Sequence, residues 1–135
     1  MSKEFKYETK VYYEDTDAGG VVYYANYLKF LERARTEMIC SFELNNKKLL
    51  NDHKTLIIVK SINIEYKKPS ELEDNLQIYS SIKSFNKASF TMFQKIKRNE
   101  EIILEADIHL VTVNTEGKPI KIPDVLEKSL KNKLN

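Results

Sequence analysis

Apolar and polar residues alternate through Phe5, Tyr7, Val11 and Tyr13, and a period of two predicts a strand over residues 3–14 with one packed and one wet face. The period then lengthens. Tyr27, Leu31, Ala34 and Met38 fall on one helical stripe and Lys29, Arg33 and Glu37 on a polar edge, so a largely buried helix is expected over residues 24–42. Asn45, Asn46, Lys47 and Lys48 end it, and residues 49–54 read as a short irregular connection. From Thr55 the pattern is β-type: a strand over 56–66 that stops before Pro69, a turn at Asp74 and Asn75, and strands over 76–85, 88–98 and 102–114. The short links Asn86-Lys87 and Asn99-Glu100-Glu101 argue for antiparallel hairpins. Gly117 and Pro119 close the sheet, and Pro123 with Asp124 opens a peripheral terminal helix over 125–134 whose outer face is mostly lysine. One strand, one long helix and four further strands make an α+β chain, a single domain over 1–135 without repeat or linker.

Composition narrows this little. Charged residues are 31% against 41% hydrophobic, and a net charge of +2 is too small to argue for nucleic acid. Cys40 is the only cysteine, so no intrachain disulfide forms; with no apolar leader in residues 1–10 and no apolar run near 18 residues, a cytoplasmic protein is expected. Cys40 has neither His53 nor His109 near it in sequence and reads as a structural thiol. His109 lies in a strand and His53 beside Asp52 in a loop, and neither has a neighbour at ligand spacing, so no metal is assigned.

The candidate chemistry sits between the first strand and the long helix. Asp15-Thr16-Asp17 runs directly into Gly19 and Gly20, two of the chain's three glycines. Glycines let backbone approach a ligand, and a helix start offers unpaired N–H groups at its positive end. Amides there would polarise a carbonyl while Asp17 attacks its carbon or deprotonates a water that does. A calcium loop counted from Asp15 puts Gly19 fifth, where a ligand is wanted, and Asn26 twelfth, where a glutamate is wanted, so that reading fails. Phosphoryl transfer at an Asp-x-Asp belongs on a larger parallel sheet. The plain alternative is an acidic turn that caps the helix. Asp15 and Glu14 keep that structural role, holding the turn or pairing with Arg33 or Arg35. Arg33 and Glu37 are spaced as a solvated i,i+4 pair, and Tyr23, Tyr24 and Tyr27 suit a core or subunit interface.

The run from Tyr13 through Asp17, Gly19, Gly20, Val21, Val22 and Tyr23, followed by Ala25-Asn26-Tyr27 and Glu32-Arg33-Ala34-Arg35-Thr36-Glu37, resembles the signature of the hotdog-fold acyl-CoA thioesterases. The branch is the YbgC type, similar to 4-hydroxybenzoyl-CoA thioesterase. The resemblance implies a five-stranded antiparallel sheet wrapped around one long helix. It implies hydrolysis of an acyl-CoA to free acid and CoA, with Asp17 as general base or nucleophile and the Tyr24 main-chain N–H polarising the thioester. Many members of the branch carry histidine where this chain has Tyr24, so no side-chain role is carried over. Gly19, Gly20, Val21, Val22 and Tyr23 are the expected substrate contacts. Lys60 and Lys87, with Lys67, Lys68 and Lys83, are the basic residues available to CoA phosphates. No cofactor is expected, since CoA is part of the substrate, and a dimer or tetramer paired edge to edge with sites between subunits is implied. The rival reading is an acyl-group or acyl-carrier-protein binding partner linked to the Tol-Pal system. A hotdog dehydratase would need a histidine on the helix, and none occurs before His53.

Overall fold

The computed structural model describes residues 3–134; Met1, Ser2 and Asn135, the ends of the expected domain, lie outside them. The strands are β1 (Phe5–Lys10), β2 (Leu56–Tyr66), β3 (Asn75–Phe85), β4 (Ser89–Arg98) and β5 (Glu101–Val113). They form one sheet in the order β1-β3-β4-β5-β2, and every neighbouring pair is antiparallel. Alternation along β3, β4 and β5 turns Ile78, Ile82, Met92, Ile96, Leu104 and Ile108 to one face, where each is at most 1% exposed.

Helix α1 (Tyr27–Cys40) lies on that face. Its stripe residues Tyr27, Phe30, Leu31, Ala34 and Met38 are all buried, whereas Lys29, Arg33 and Glu37 are exposed. Its N-terminus has no side-chain cap and at its C-terminus Ser41 Oγ donates to the Met38 carbonyl, so burial of the stripe does most to hold the helix. A sheet curled over one long helix is the arrangement the hotdog resemblance implies.

Three expectations are corrected. The strand expected to reach residue 14 stops at Lys10, because the Asp15 carboxylate accepts the Tyr12 N–H at 2.9 Å and winds Tyr13–Asp15 into a 3-10 turn. The stretch read as irregular after the long helix is a second helix, α2 (Asn46–His53). Asn45, read as a helix ender, is its N-cap and accepts the Lys48 N–H at 2.7 Å, while Leu49 anchors it at 1% exposure. The terminal helix, α3 (Asp124–Lys131), is not peripheral: Leu126 and Leu130 are completely buried, each worth roughly 1.5–3 kcal/mol by area. Beyond it, the Lys133 carbonyl accepts the Ile82 N–H at 2.9 Å, which ties the chain end to β3.

Candidate active site

The loop between β1 and α1 is closed by an isolated antiparallel bridge between Thr16 and Val22, which leaves Asp17 to Val21 at its tip. Within the tip, the Asp17 N–H donates to the Val21 carbonyl at 2.9 Å and the Gly20 N–H to the Asp17 carbonyl at 3.0 Å. Gly20 has φ +83°, a conformation that glycine adopts without the Cβ penalty. The Gly19 N–H donates to Asp17 Oδ1 at 2.8 Å, and a Cβ built on Gly19 would stand 3.2 Å from that oxygen. Asp17 is exposed, and among the described residues the Gly19 N–H is the partner of its carboxylate.

The root of the loop is made differently. Asp15 is 4% exposed; its Oδ2 accepts the Tyr12 N–H at 2.9 Å and its Oδ1 accepts Asn26 Nδ2 at 2.8 Å. The Tyr23 N–H closes on the Asp15 carbonyl at 3.0 Å. Asp15 therefore holds the turn as expected, but pairs with neither Arg33 nor Arg35. Arg35 instead donates to Gln94 Oε1 at 3.0 Å. The i,i+4 contact on α1 is Thr36 Oγ1 to Glu32 Oε2 at 2.9 Å, while Arg33 and Glu37 point to solvent without an ion pair among the described residues.

The chain next enters a 3-10 turn at Tyr24–Asn26 that leads into α1. The first donor used inside this turn is the Asn26 N–H, to the Tyr23 carbonyl at 2.8 Å, so the Tyr24 N–H precedes the helical ladder and has no acceptor within it. The Tyr24 carbonyl accepts the Tyr66 hydroxyl at 3.3 Å, and the two rings meet edge to face at 6.2 Å. Tyr27 donates to Ser70 Oγ at 3.0 Å, and burial pushes its phenol up from the usual tyrosine value. The Val22 N–H donates to the Ser70 carbonyl at 2.8 Å. Ser70, Tyr66 and Asn26 thus brace the loop. Sequence reasoning gave neither Tyr66 nor Ser70 this role, because they are 42 and 43 residues from the partners they meet, and it placed Asn26 in the Ala25-Asn26-Tyr27 run without its bond to Asp15.

The structure brings Asp17, Gly19, Gly20, Val21, Val22, Tyr23 and Tyr24 into one loop and helix start, with Lys67 and Lys68 lining the same shallow pocket as Tyr24, Tyr27 and Tyr66. Lys60 sits elsewhere, at the bulge of β2 between Val59 and Ser61. Lys87 lies in the β3–β4 turn, and the register of β4 on β5 and of β5 on β2 places that turn at the end of the sheet opposite Tyr66. His109 Nδ1 is 3.1 Å from Thr91 Oγ1, a satisfied sheet residue, and Cys40 ends α1 exposed.

The family model for the thioesterase-like superfamily matches residues 11–130. A protein of Escherichia coli O6:H1 called acyl-CoA thioester hydrolase YbgC is 39% identical over 128 residues, 93% of this chain and 92% of that one. Acyl-CoA thioesterase YbgC of Haemophilus influenzae is 35% identical over 124 residues, 91% of each. Among solved structures, a probable thioesterase from Bartonella henselae superposes with a TM-score of 0.86 at 32% identity, covering 89% of this chain and 99% of that one.

Proposed function

The chain belongs to the thioesterase-like superfamily and is a thioester hydrolase, and we propose that its substrate is an acyl-CoA, cleaved at the Asp17 loop to free acid and CoA. One observation carries the site assignment. Among the described residues, Gly19 engages one oxygen of the Asp17 carboxylate and leaves the other, Oδ2, without a partner, and the same loop leads into a helix start whose Tyr24 N–H has no acceptor. The amide takes up negative charge growing on the thioester oxygen, reinforced by the positive end of α1. Asp17 Oδ2 either removes a proton from the attacking water or adds to the carbonyl carbon and is freed by water afterwards. By either route the C–S bond breaks, the hydroxyl of water ends on the acid, and the thiolate of CoA takes up the proton. No cofactor enters this chemistry.

The test is a panel of CoA thioesters with a thiol reagent, run on the wild type and on Asp17→Asn. Thiol release by the wild type, lost in the variant, is the expected result. Undiminished release in Asp17→Asn ends the assignment, and saturable binding without release by the wild type favours an acyl-binding partner instead.

We also propose that two copies pair through β2, in the cytoplasm. This strand is an edge of the sheet, 11 residues long, and its consecutive Ile58 and Val59, which point to opposite faces, are 45% and 46% exposed. Ile62 and Tyr66 continue the apolar row, and Leu28 of α1 is 42% exposed. An edge this long and apolar would otherwise template aggregation. Light scattering at assay concentrations should show a dimer or larger; full activity in a monodisperse monomer would contradict the pairing.

A further inference from the structure

Between α1, the start of α2 and the β2 side of the sheet lies a cavity of about 210 Å³. Its walls are largely apolar, with Ile57, Val59, Met92 and Leu110 among them, and a dry cavity of about 150 Å³ already holds a benzene ring. One wall is cationic. The Arg35 guanidinium lines the cavity, spends one of its five donors on Gln94 and has no carboxylate in ion-pair contact among the described residues. Gln94 is completely buried and fixed in turn by the Leu31 carbonyl at 3.1 Å and Ser80 Oγ at 2.9 Å, so the Arg35 head is aimed rather than mobile. Burial pushes the guanidinium down from its usual value, the mark of a charge without full compensation, and Glu32 opposes that only in part. Glu32 is itself exposed and engaged by Thr36, at the rim of the cavity.

Within one chain this cavity is far from the Asp17 loop. Tyr66 touches Tyr24 at one end of β2, whereas Ile57 and Val59 line the cavity near the other, roughly 20–30 Å away along the strand. If β2 pairs antiparallel with β2 of a second copy, the Tyr66 end of one strand comes beside the Val59 end of the other. The Asp17 loop of one copy then opens toward the cavity of its partner, and an acyl group attached to CoA at the first reaches into the second.

We propose that this cavity takes acyl groups that end in a carboxylate and that Arg35 is the residue selecting them. The inference rests on the hydrolase and dimer readings above. A half-buried cation without an ion pair among the described residues, set in a largely apolar wall, costs free energy that an anionic ligand terminus recovers, whereas a methyl terminus leaves it unmet. Because the ligand charge is set by its far end, recognition occurs away from the reacting thioester and acts on binding.

The test compares kcat/KM for ω-carboxyacyl-CoAs of about four to eight carbons with that for neutral acyl-CoAs of the same carbon count. At the best chain length the carboxylated thioester should lead by about tenfold or more in the wild type, as for a hydrogen bond to a charged group, and that ratio should collapse in Arg35→Met. The ratio cancels any loss common to both substrates. Arg35→Gln, which keeps a donor for Gln94, serves if the methionine variant misfolds, and Arg35→Lys should restore part of the preference. A wild-type ratio below about three, or an unchanged ratio in a folded neutral variant, overturns the inference while leaving the hydrolase reading standing. Turnover of neither series by the wild type overturns both.

Discussion

Asp15 and Asp17 stand two residues apart in the loop before α1, and their surroundings separate them. Asp15 is 4% exposed, both of its oxygens accept hydrogen bonds, and one of those bonds reaches Asn26 at the threshold of the helix. Asp17 is exposed, with one oxygen held by the Gly19 N–H. The difference follows from the path of the backbone. Asp15 closes the 3-10 turn at the root, ahead of the Thr16–Val22 bridge, whereas Asp17 lies beyond that bridge at the tip. Two identical side chains thus divide the work: the root carboxylate fixes where the loop stands, and the tip carboxylate is left chemically available.

The sharpest way to break this division is at Asp17. Asp17→Asn preserves shape and can still accept from Gly19, yet removes the charge and the basic oxygen, so kcat should fall by at least about 100-fold. The melting temperature should stay near that of the wild type. A comparable fall for Asp15→Asn at matched folding would erase the distinction between the two.

Next in size is the amide. Tyr24→Pro deletes the N–H at the first position of a helical turn, where proline is tolerated, and should cost on the order of 100-fold in kcat. Tyr24→Ala should keep most of the activity. Circular dichroism and oligomer size must match between the two, since proline also restricts Tyr23. An alanine variant as inactive as the proline variant would assign the role to the phenol.

Asp15→Ala should act on stability instead. It removes the acceptor of the Tyr12 N–H and strands the Asn26 amide in a buried site, a loss of about 2 kcal/mol readable from denaturant unfolding. Unaltered stability would show that the root carboxylate is not what holds the loop. The smallest effect is expected at Gly19→Ala, whose Cβ would approach Asp17 Oδ1 to 3.2 Å. A several-fold drop in kcat without a change in melting temperature would show that the tip carboxylate works from the position Gly19 sets; an unaltered kcat would show that it does not.

Much of the architecture is legible in the chain itself. The switch from period two to the 3.6-residue period and back locates the four later strands within one residue and α1 within three, because one buried face forces apolar spacing on each element. The two errors in helices have a shared cause. In α2 a few apolar residues sit among asparagine and lysine, and in α3 two leucines carry the burial, so neither segment shows a stripe long enough to outweigh its polar composition. The Asn45 cap was a local signal for α2; nothing local announced that Leu126 and Leu130 would close the core.

The site divides along the same line. The order of strand, acidic glycine turn and helix start is written in consecutive residues, so sequence alone determines that Asp17, Gly19 and the Tyr24 amide share one loop. Only the tertiary structure decides that Asp15 is buried and Asp17 is not, that Ser70 and Tyr66 brace the helix start, and that Arg35 meets Gln94 in the wall of a cavity. Local order is enforced by covalent neighbours and backbone conformation, which a sequence displays directly. Which polar groups are stripped of water depends on contacts 40 to 60 residues apart, as for Tyr24 with Tyr66 and Arg35 with Gln94, and those form only when the sheet closes over the helix.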